Sequence, residues 1–497
     1  MYKKLPFLLF LLFLLPNKPM LAQFQQGNDL LGAEADDNFG FSVDLSGNGQ
    51  RLIVGTPLAD PTFELLGEVK VFEQTDFDWV QIGSTINGSD NADFLGYDVA
   101  ISEDGNTIAI GGTAPSNIQV PGQARVYQWI DNEWQLQGGV IYGENFEDQF
   151  GSAIALSTDG QRIAVGAPYN DGNGMSAGHV RVLEWNGNEW IQMGEDIDGE
   201  NAGDFSGSAL AMSANGSRIA IGAPNNDGNA DASGHVRVYE WTNNTWSQLG
   251  EDIDGEESSD LSGGAVSMSA DGNRIAIGAI NNDGLSDFVG HTRVYDWENG
   301  AWVQVGADID GDNFGDWLGA SVSLAADGQL LAISAIRSDV GAMEDVGRVR
   351  MYFWDSYNEE WSIVFGDLIG KAARDWFGND IALAPDGSHI AIGARMNDDN
   401  GEDAGLVQVY LLSAVSIGEE SALAAQFSIQ PNPTEGRFSI DGPQKGTIRI
   451  LNILGQALQQ HPALTVQTID IAEWPSGIYY IQLDTGSHSI VKKLIKE

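Results

Sequence analysis

Between residues 152 and 197 apolar and polar side chains alternate with a period of two in four short runs, 152–157, 162–166, 179–185 and 190–197. Alternation of this kind predicts strands with one covered and one wet face, here named A to D. Thr158-Asp159-Gly160 separates A from B, and Asn186-Gly187-Asn188 separates C from D. Both are tight-turn signals, because these residues take positive φ cheaply. B reaches C through a longer segment containing Pro168, Asn170, Asp171 and Gly172, and D leads onward through Asp198-Gly199-Glu200. The unit reads as a four-stranded antiparallel meander.

The same unit recurs from about residue 36 to about residue 412, in register with Gly40, Gly96, Gly151, Gly207, Gly263, Gly319 and Gly378. A single meander cannot cover both of its own faces, so copies must stack, and four-stranded units of this length predict a β-propeller. The seventh copy ends after its strand C, at 406–410, with no strand D behind it. Residues 25–32 at the front line up with 192–199, the end of a strand D. The expected fold is therefore all-β: a seven-bladed propeller closed by an N-terminal strand, followed by a small C-terminal β-sandwich.

Around this core the chain divides into residues 1–22, 23–412, 413–425 and 426–497. The first segment reads as a secretory signal peptide, with Lys3 and Lys4 ahead of an apolar run from Leu5 to Leu15 and Ala22 as the cleavage point. Residues 413–425 read as a linker, and no later apolar run is long enough to span a membrane. Cysteine is absent, which excludes disulfides and thiolate chemistry.

The net charge of −47 lies almost wholly on the repeats. A surface of that sign excludes nucleic acid as a partner. Many of the acids fall in the B to C and D to A loops, which share one rim of a meander propeller. Two readings of them stand: a solvated surface, or Ca²⁺ sites in the loops holding Asp196, Asp198, Glu200, Asp252, Asp254 and Glu256, since Ca²⁺ favours clustered oxygen ligands.

Most arginines recur with the repeat and are expected to pair with acids across strands. Arg337, Arg348, Lys371, Arg374 and Arg395 instead fall only in copies six and seven, beside the acidic rim, together with Trp317 and Trp376. These seven residues form the candidate ligand-binding patch. His179, His235 and His291 occupy one repeat position, but their counterparts are Glu68, Gln123, Arg348 and Leu406, so they read as strand-start surface residues. The Trp pairs that flank each C to D hairpin read as packing.

Phe39-Gly40, Phe150-Gly151 and Phe377-Gly378, followed by Gly166-Ala167-Pro168 and Gly222-Ala223-Pro224, resemble the FG-GAP repeat of integrin α-subunit propellers. The resemblance implies a seven-bladed propeller used in adhesion and ligand binding. It also implies a Ca²⁺ loop in the A to B hairpin, but Ala155 and Ile163 stand where its first and last ligands belong. The C-terminal segment carries Pro431-Asn432-Pro433, the run Ile-Leu-Asn-Ile-Leu-Gly at 450–455, Pro475-Ser476-Gly477-Ile478-Tyr479 and a basic end at 491–496. These resemble the type A sorting domain of the type IX secretion system. The resemblance implies the secretion machinery as a partner of residues 426–497 and a secreted or cell-surface product of a Gram-negative bacterium.

The function expected from these features is binding or adhesion, with propeller loops presented to a protein or glycan. An enzyme is not expected, because the repeats are regular and no isolated His, Glu or Tyr constellation stands out from them. The alternatives are a secreted glycan hydrolase or lyase, or a cation-stabilised surface component.

Overall fold

The computed structural model describes residues 20–415 and 428–496, apart from 60–64, 76–77, 90–92, 115–119, 285–286, 432–433, 435, 442–446, 452–456, 463–465, 473 and 485–488. Residues 1–19 of the signal peptide and 416–425 of the linker lie outside the described residues, as do Asn432, Pro433 and 452–455 of the sorting motifs. The described residues are all-β and fall into two compact units, one holding Gln23–Leu412 and the other Ser413–Ile453 with Leu458–Glu497.

The larger unit contains seven five-stranded sheets, each an antiparallel blade. In the third blade, strands A, B and C are Ala153–Leu156, Arg162–Ala167 and His179–Trp185. The single strand D expected at 190–197 is instead two pieces, Trp190–Gln192 and Ile197–Asp198, both paired to strand C. Gly194, at a φ of 79°, marks the break between them.

Strand B is central and buried, and its sequence explains how blades stack. Ile163 and Val165 project from one face, Ala164 and Gly166 from the other, a large face backed by a small one. The large face packs on the small face of the preceding blade, where Ala109 and Ala124 lie. Ala164 in turn receives Ile219 and Ile221, and Ala220 receives Ile275 and Ile277. The glycines complete this fit: a Cβ on Gly166 would lie 2.1 Å from the carbonyl oxygen of Gly207 in the next blade.

The ring closes by the same rule. Ala382 and Ala391 of the seventh blade pack against Val43, Leu52 and Val54 of the first. The seventh sheet holds Ile381–Leu383, His389–Ala394 and Leu406–Val415, and the N-terminal strands Met20–Gln25 and Leu30–Leu31 complete it. Leu30 pairs with Val407, and Gln26 N–H donates to the Val409 carbonyl at 2.7 Å.

The Trp pairs pack as expected: the Trp185 and Trp190 rings lie 5.5 Å apart, and Trp190 Nε1 donates to the Gln137 carbonyl of the preceding blade. In the smaller unit a three-stranded and a four-stranded sheet share one core built on Phe438, Ile440, Ile450, Ile469 and Ile481.

Candidate functional site

Strand A is the innermost strand of each blade, and one of its edges has no partner strand. Its side chains two and four places after the framework glycine meet the following blade, as Ala155 meets Ile219 and Ile221. On one side of the ring they are small and apolar, Ala153 and Ala155 in the third blade and Ala209 and Ala211 in the fourth. On the other side they are Ser321 and Ser323, Asp380, Ser42 and Asp44, and Asp98, from blades six, seven, one and two.

These polar groups accept the free N–H groups of the following blade. Asp380 Oδ2 accepts from Val43 N at 2.8 Å, Asp44 Oδ2 from Ile101 N at 2.8 Å, and Asp98 Oδ2 from Ile154 N at 2.6 Å. Hydroxyls bind the carboxylates in turn, Ser42 Oγ to Asp98 at 3.0 Å and Ser321 Oγ to Asp380 at 3.2 Å. Burial pushes Asp44 and Asp98 up to about 7 and Asp380 up to about 6, with Asp380 repelling the other two and the N–H donors pulling the other way. These three carboxyl groups hold a proton more readily than exposed ones, and both oxygens of each already accept backbone N–H groups.

Above them sits a belt of aromatic side chains from consecutive blades. The Arg395 guanidinium lies 5.1 Å from the centre of the Trp376 ring and 4.9 Å from that of Phe41. Phe41 meets Tyr97 at 5.0 Å, and Tyr169 meets Phe205 at 4.9 Å. Burial raises the Tyr97 phenol, with Arg395 opposing the shift and Tyr169 adding to it. Trp376 itself holds a left-handed φ of 51°.

The seven patch residues read from the sequence are not one cluster. Trp376 and Arg395 join the belt, while Arg337 covers Trp317 at 4.6 Å and pairs with Asp345 at 3.1 Å. Arg348 is held by Asp312 at 2.8 Å and Asp316 at 3.2 Å. Lys371 pairs with Asp29 and lies 3.8 Å from Asp399, and Arg374 is exposed with a φ of 68°. The aspartates of strand A were missed by sequence reasoning. Comparing the seven copies at the second and fourth positions after the glycine would have found them, because there alanine gives way to aspartate in a strand.

The histidines need a correction. His179, His235 and His291 are not surface residues: each is 1% exposed. Each meets a carboxylate from its own blade and another from the loop that enters the blade, giving the groups Glu144–His179–Asp196, Glu200–His235–Asp252 and Glu256–His291–Asp308. Of the six acids proposed for Ca²⁺, Asp196, Glu200, Asp252 and Glu256 belong to these groups. Asp198 and Asp254 lie outside them, their backbone paired to the histidine strands.

A model of the FG-GAP repeat matches residues 144–183 and 370–410, and a model of a secretion system C-terminal sorting domain matches 428–497. The chain thus carries FG-GAP repeats and a secretion sorting tail. The tail places the FG-GAP propeller among proteins exported to the cell surface or the extracellular space and makes the secretion machinery its partner. Among the described residues no helix is long and apolar enough to cross a membrane.

No curated protein matches the chain by sequence. Similar solved structures are propellers. The periplasmic gluconolactonase PpgL of Pseudomonas aeruginosa has a TM-score of 0.46 and 13% identity, over 90% of this chain and 99% of that one. A Bacteroides uniformis protein named as a candidate 6-phosphogluconolactonase has a TM-score of 0.47 and 13% identity, over 67% and 86%. The Dos1 propeller has a TM-score of 0.42 and 9% identity, over 78% and 95%. At these identities the likeness concerns fold alone.

The expectation that the FG-GAP propeller is not an enzyme does not stand. Two of its structural neighbours carry lactonase names. Asp44, Asp98 and Asp380 are a group set apart from the repeat that a search for His, Glu or Tyr passes over.

Proposed function

We propose that the exported FG-GAP propeller binds a glycan at the mouth of its ring of inner strands. The observation that carries this reading is the belt Trp376, Arg395, Phe41 and Tyr97 above the carboxylates of Asp380 and Asp98. Flat aromatic faces stack on the apolar faces of sugar rings, and a few convergent polar groups fix their hydroxyls. The rim position supports display to a surface ligand, as adhesion requires.

A glycan array followed by calorimetry tests the reading. Saturable binding to at least one glycan, weakened roughly tenfold in Trp376→Ala, is the expected result; no binding, or binding unchanged by that substitution, removes it. Asp98 near neutrality favours a second reading, acid–base catalysis at the same mouth. Turnover of a bound glycan that Asp98→Asn abolishes while binding persists would select it.

The reading includes one cofactor, a divalent cation in the rim loops. Carboxylate oxygens alone would select Ca²⁺.

A further inference from the structure

The three histidine groups vary together across the seven blades in a way that points to a missing positive charge. Three positions matter in each blade: one in the loop that enters it, one at the start of strand C, and one just before the second piece of strand D. In blades three, four and five these are Glu, His and Asp. The second blade has Ser89, Gln123 and Val140 there, and the first has Ala33, Glu68 and Thr85. Histidine therefore occurs only where both carboxylates occur.

The sixth blade keeps the two carboxylates, Asp312 and Asp367, and replaces histidine by Arg348. That guanidinium lies 2.8 Å from Asp312 and 3.7 Å from Asp367, and Arg350 pairs with the same two acids at 2.9 and 2.8 Å. Two guanidinium groups thus meet these two acids, and Arg348 also reaches Asp316 at 3.2 Å. In the seventh blade the entering loop brings Lys371, which pairs directly with Asp29.

Blades three to five retain only the counterpart of Arg350. Arg237 lies 3.7 Å from Glu200 and Arg293 lies 3.6 Å from Glu256, and each also donates to a backbone carbonyl, of Asp198 and Asp254 respectively. One guanidinium thus faces two carboxylates. Neither ring nitrogen of His235 or His291 has a hydrogen-bond partner among the described residues. Buried nitrogens left without partners are costly unless something binds them.

We propose that the junctions entering blades three, four and five each hold a divalent transition ion of the Zn²⁺ class. Its ligands are the Nδ1 of His179, His235 or His291, the aspartate of the same blade and the glutamate of the entering loop. This deepens the cation part of the functional reading and is separate from the glycan site.

The geometry fits: the ligand atoms of each group lie within 4.8 Å of one another, with Nδ1 of His179 and His235 at 3.8 and 3.7 Å from Asp196 and Asp252. A tetrahedral ion with bonds of about 2.0–2.2 Å holds its ligands roughly 3.4 Å apart, so small side-chain movements complete the site. One nitrogen with two carboxylates suits Zn²⁺, Co²⁺ or Mn²⁺ better than Ca²⁺, which takes oxygens only. At the junction entering blade five a cavity of about 490 Å³ is lined by Glu256, Asp308 and Asp310. Each ion would clamp a blade to the loop that enters it.

The test uses the full chain stripped with chelator, titrated with Zn²⁺ by calorimetry and with Co²⁺ by visible absorption. Three ions per chain are expected, with the absorption bands of four-coordinate Co²⁺ and a rise in Tm. His235→Gln should remove one ion. His291→Arg, which copies the sixth blade, should remove one ion while leaving the metal-free Tm unchanged or higher, so loss of binding there is not loss of fold. Zn²⁺ uptake unchanged in the triple His→Arg variant would overturn the proposal, as would the absence of uptake. Ca²⁺ uptake that the triple variant leaves intact, without Zn²⁺ uptake, would assign the cation to oxygen ligands and overturn it also. Glycan binding, read on the same samples, reports on the other site alone.

Discussion

Arg395 of the seventh blade holds its guanidinium 5.1 Å from the ring of Trp376, and the same cation reaches Phe41 of the first blade at 4.9 Å. One arginine thus joins aromatic faces across the seam at which the ring closes. A cation stacked on rings in this way contributes about 0.5–2 kcal/mol. It also holds the Trp376 face in place for a ligand.

Removing Trp376 should therefore cost binding more than folding. Trp376→Ala is expected to weaken glycan affinity roughly tenfold, about 1.4 kcal/mol, while Tm moves little. Arg395→Lys, which keeps the charge and loses the planar stack, should fall between the variant and the parent. Calorimetric titration beside thermal melts separates the two effects.

The strand A aspartates give the fold a pH dependence of defined sign. Asp98 has a folded pKa of about 7 against 3.8 when unperturbed. Between those values the native state holds a proton that the unfolded chain has released. Its stabilising contribution is full below about pH 4 and is lost as pH rises through 7. A shift of that size corresponds to at most roughly 4 kcal/mol. Tm measured from pH 5 to pH 8 should fall more steeply in the parent than in Asp98→Asn. Parallel curves would count against the buried carboxyl.

Blade stacking makes a sharper demand at Gly166. Its Cβ would meet the Gly207 carbonyl oxygen at 2.1 Å, and that atom is backbone with no rotamer to change. Gly166→Ala should destabilise the propeller by about 1–3 kcal/mol or more, read as lower Tm and lower soluble yield. Gly139→Ala is the control, because nothing lies within 4 Å of that position and its φ is not left-handed.

How far the sequence reveals the molecule follows from which forces repeat. Ile163, Ala164, Val165 and Gly166 recur in nearly every copy because every junction needs a large face against a small one, so the blades are legible from alternation alone. The second piece of strand D is not: Ile197 and Asp198 continue the alternation of Trp190 to Gln192, and only the left-handed Gly194 breaks the pairing. The histidines were misread because variation at their position was compared alone. Read together with Glu144 and Asp196, the same variation is correlated and reports a charge balance. Asp98 stayed hidden for a different reason: a carboxylate in a strand looks like surface until the neighbouring blade supplies the Ile154 N–H that it accepts.

Closure of the ring rests on a short N-terminal segment. Gln26 N–H donates to the Val409 carbonyl, Leu30 and Leu31 pair with Val407 and Leu406, and Asp29 accepts from Gln408 Nε2 at 2.7 Å while pairing with Lys371. Without these residues strand C of the seventh blade becomes an exposed edge, and exposed edges recruit other chains. The covered faces of Val407 and Trp79 would also meet water, the latter losing the bond from its Nε1 to the Gln26 carbonyl at 3.0 Å. Deletion of residues 23–31 should therefore lower Tm by more than any single substitution above and convert monomer to oligomer or aggregate. Size-exclusion chromatography with light scattering reads the second effect. Supplying residues 23–31 as a separate peptide should restore part of the lost Tm, because the donor strand adds to an edge already in register. A deletion variant that stays monomeric with an unchanged melting curve would show that the ring is closed by blade packing alone.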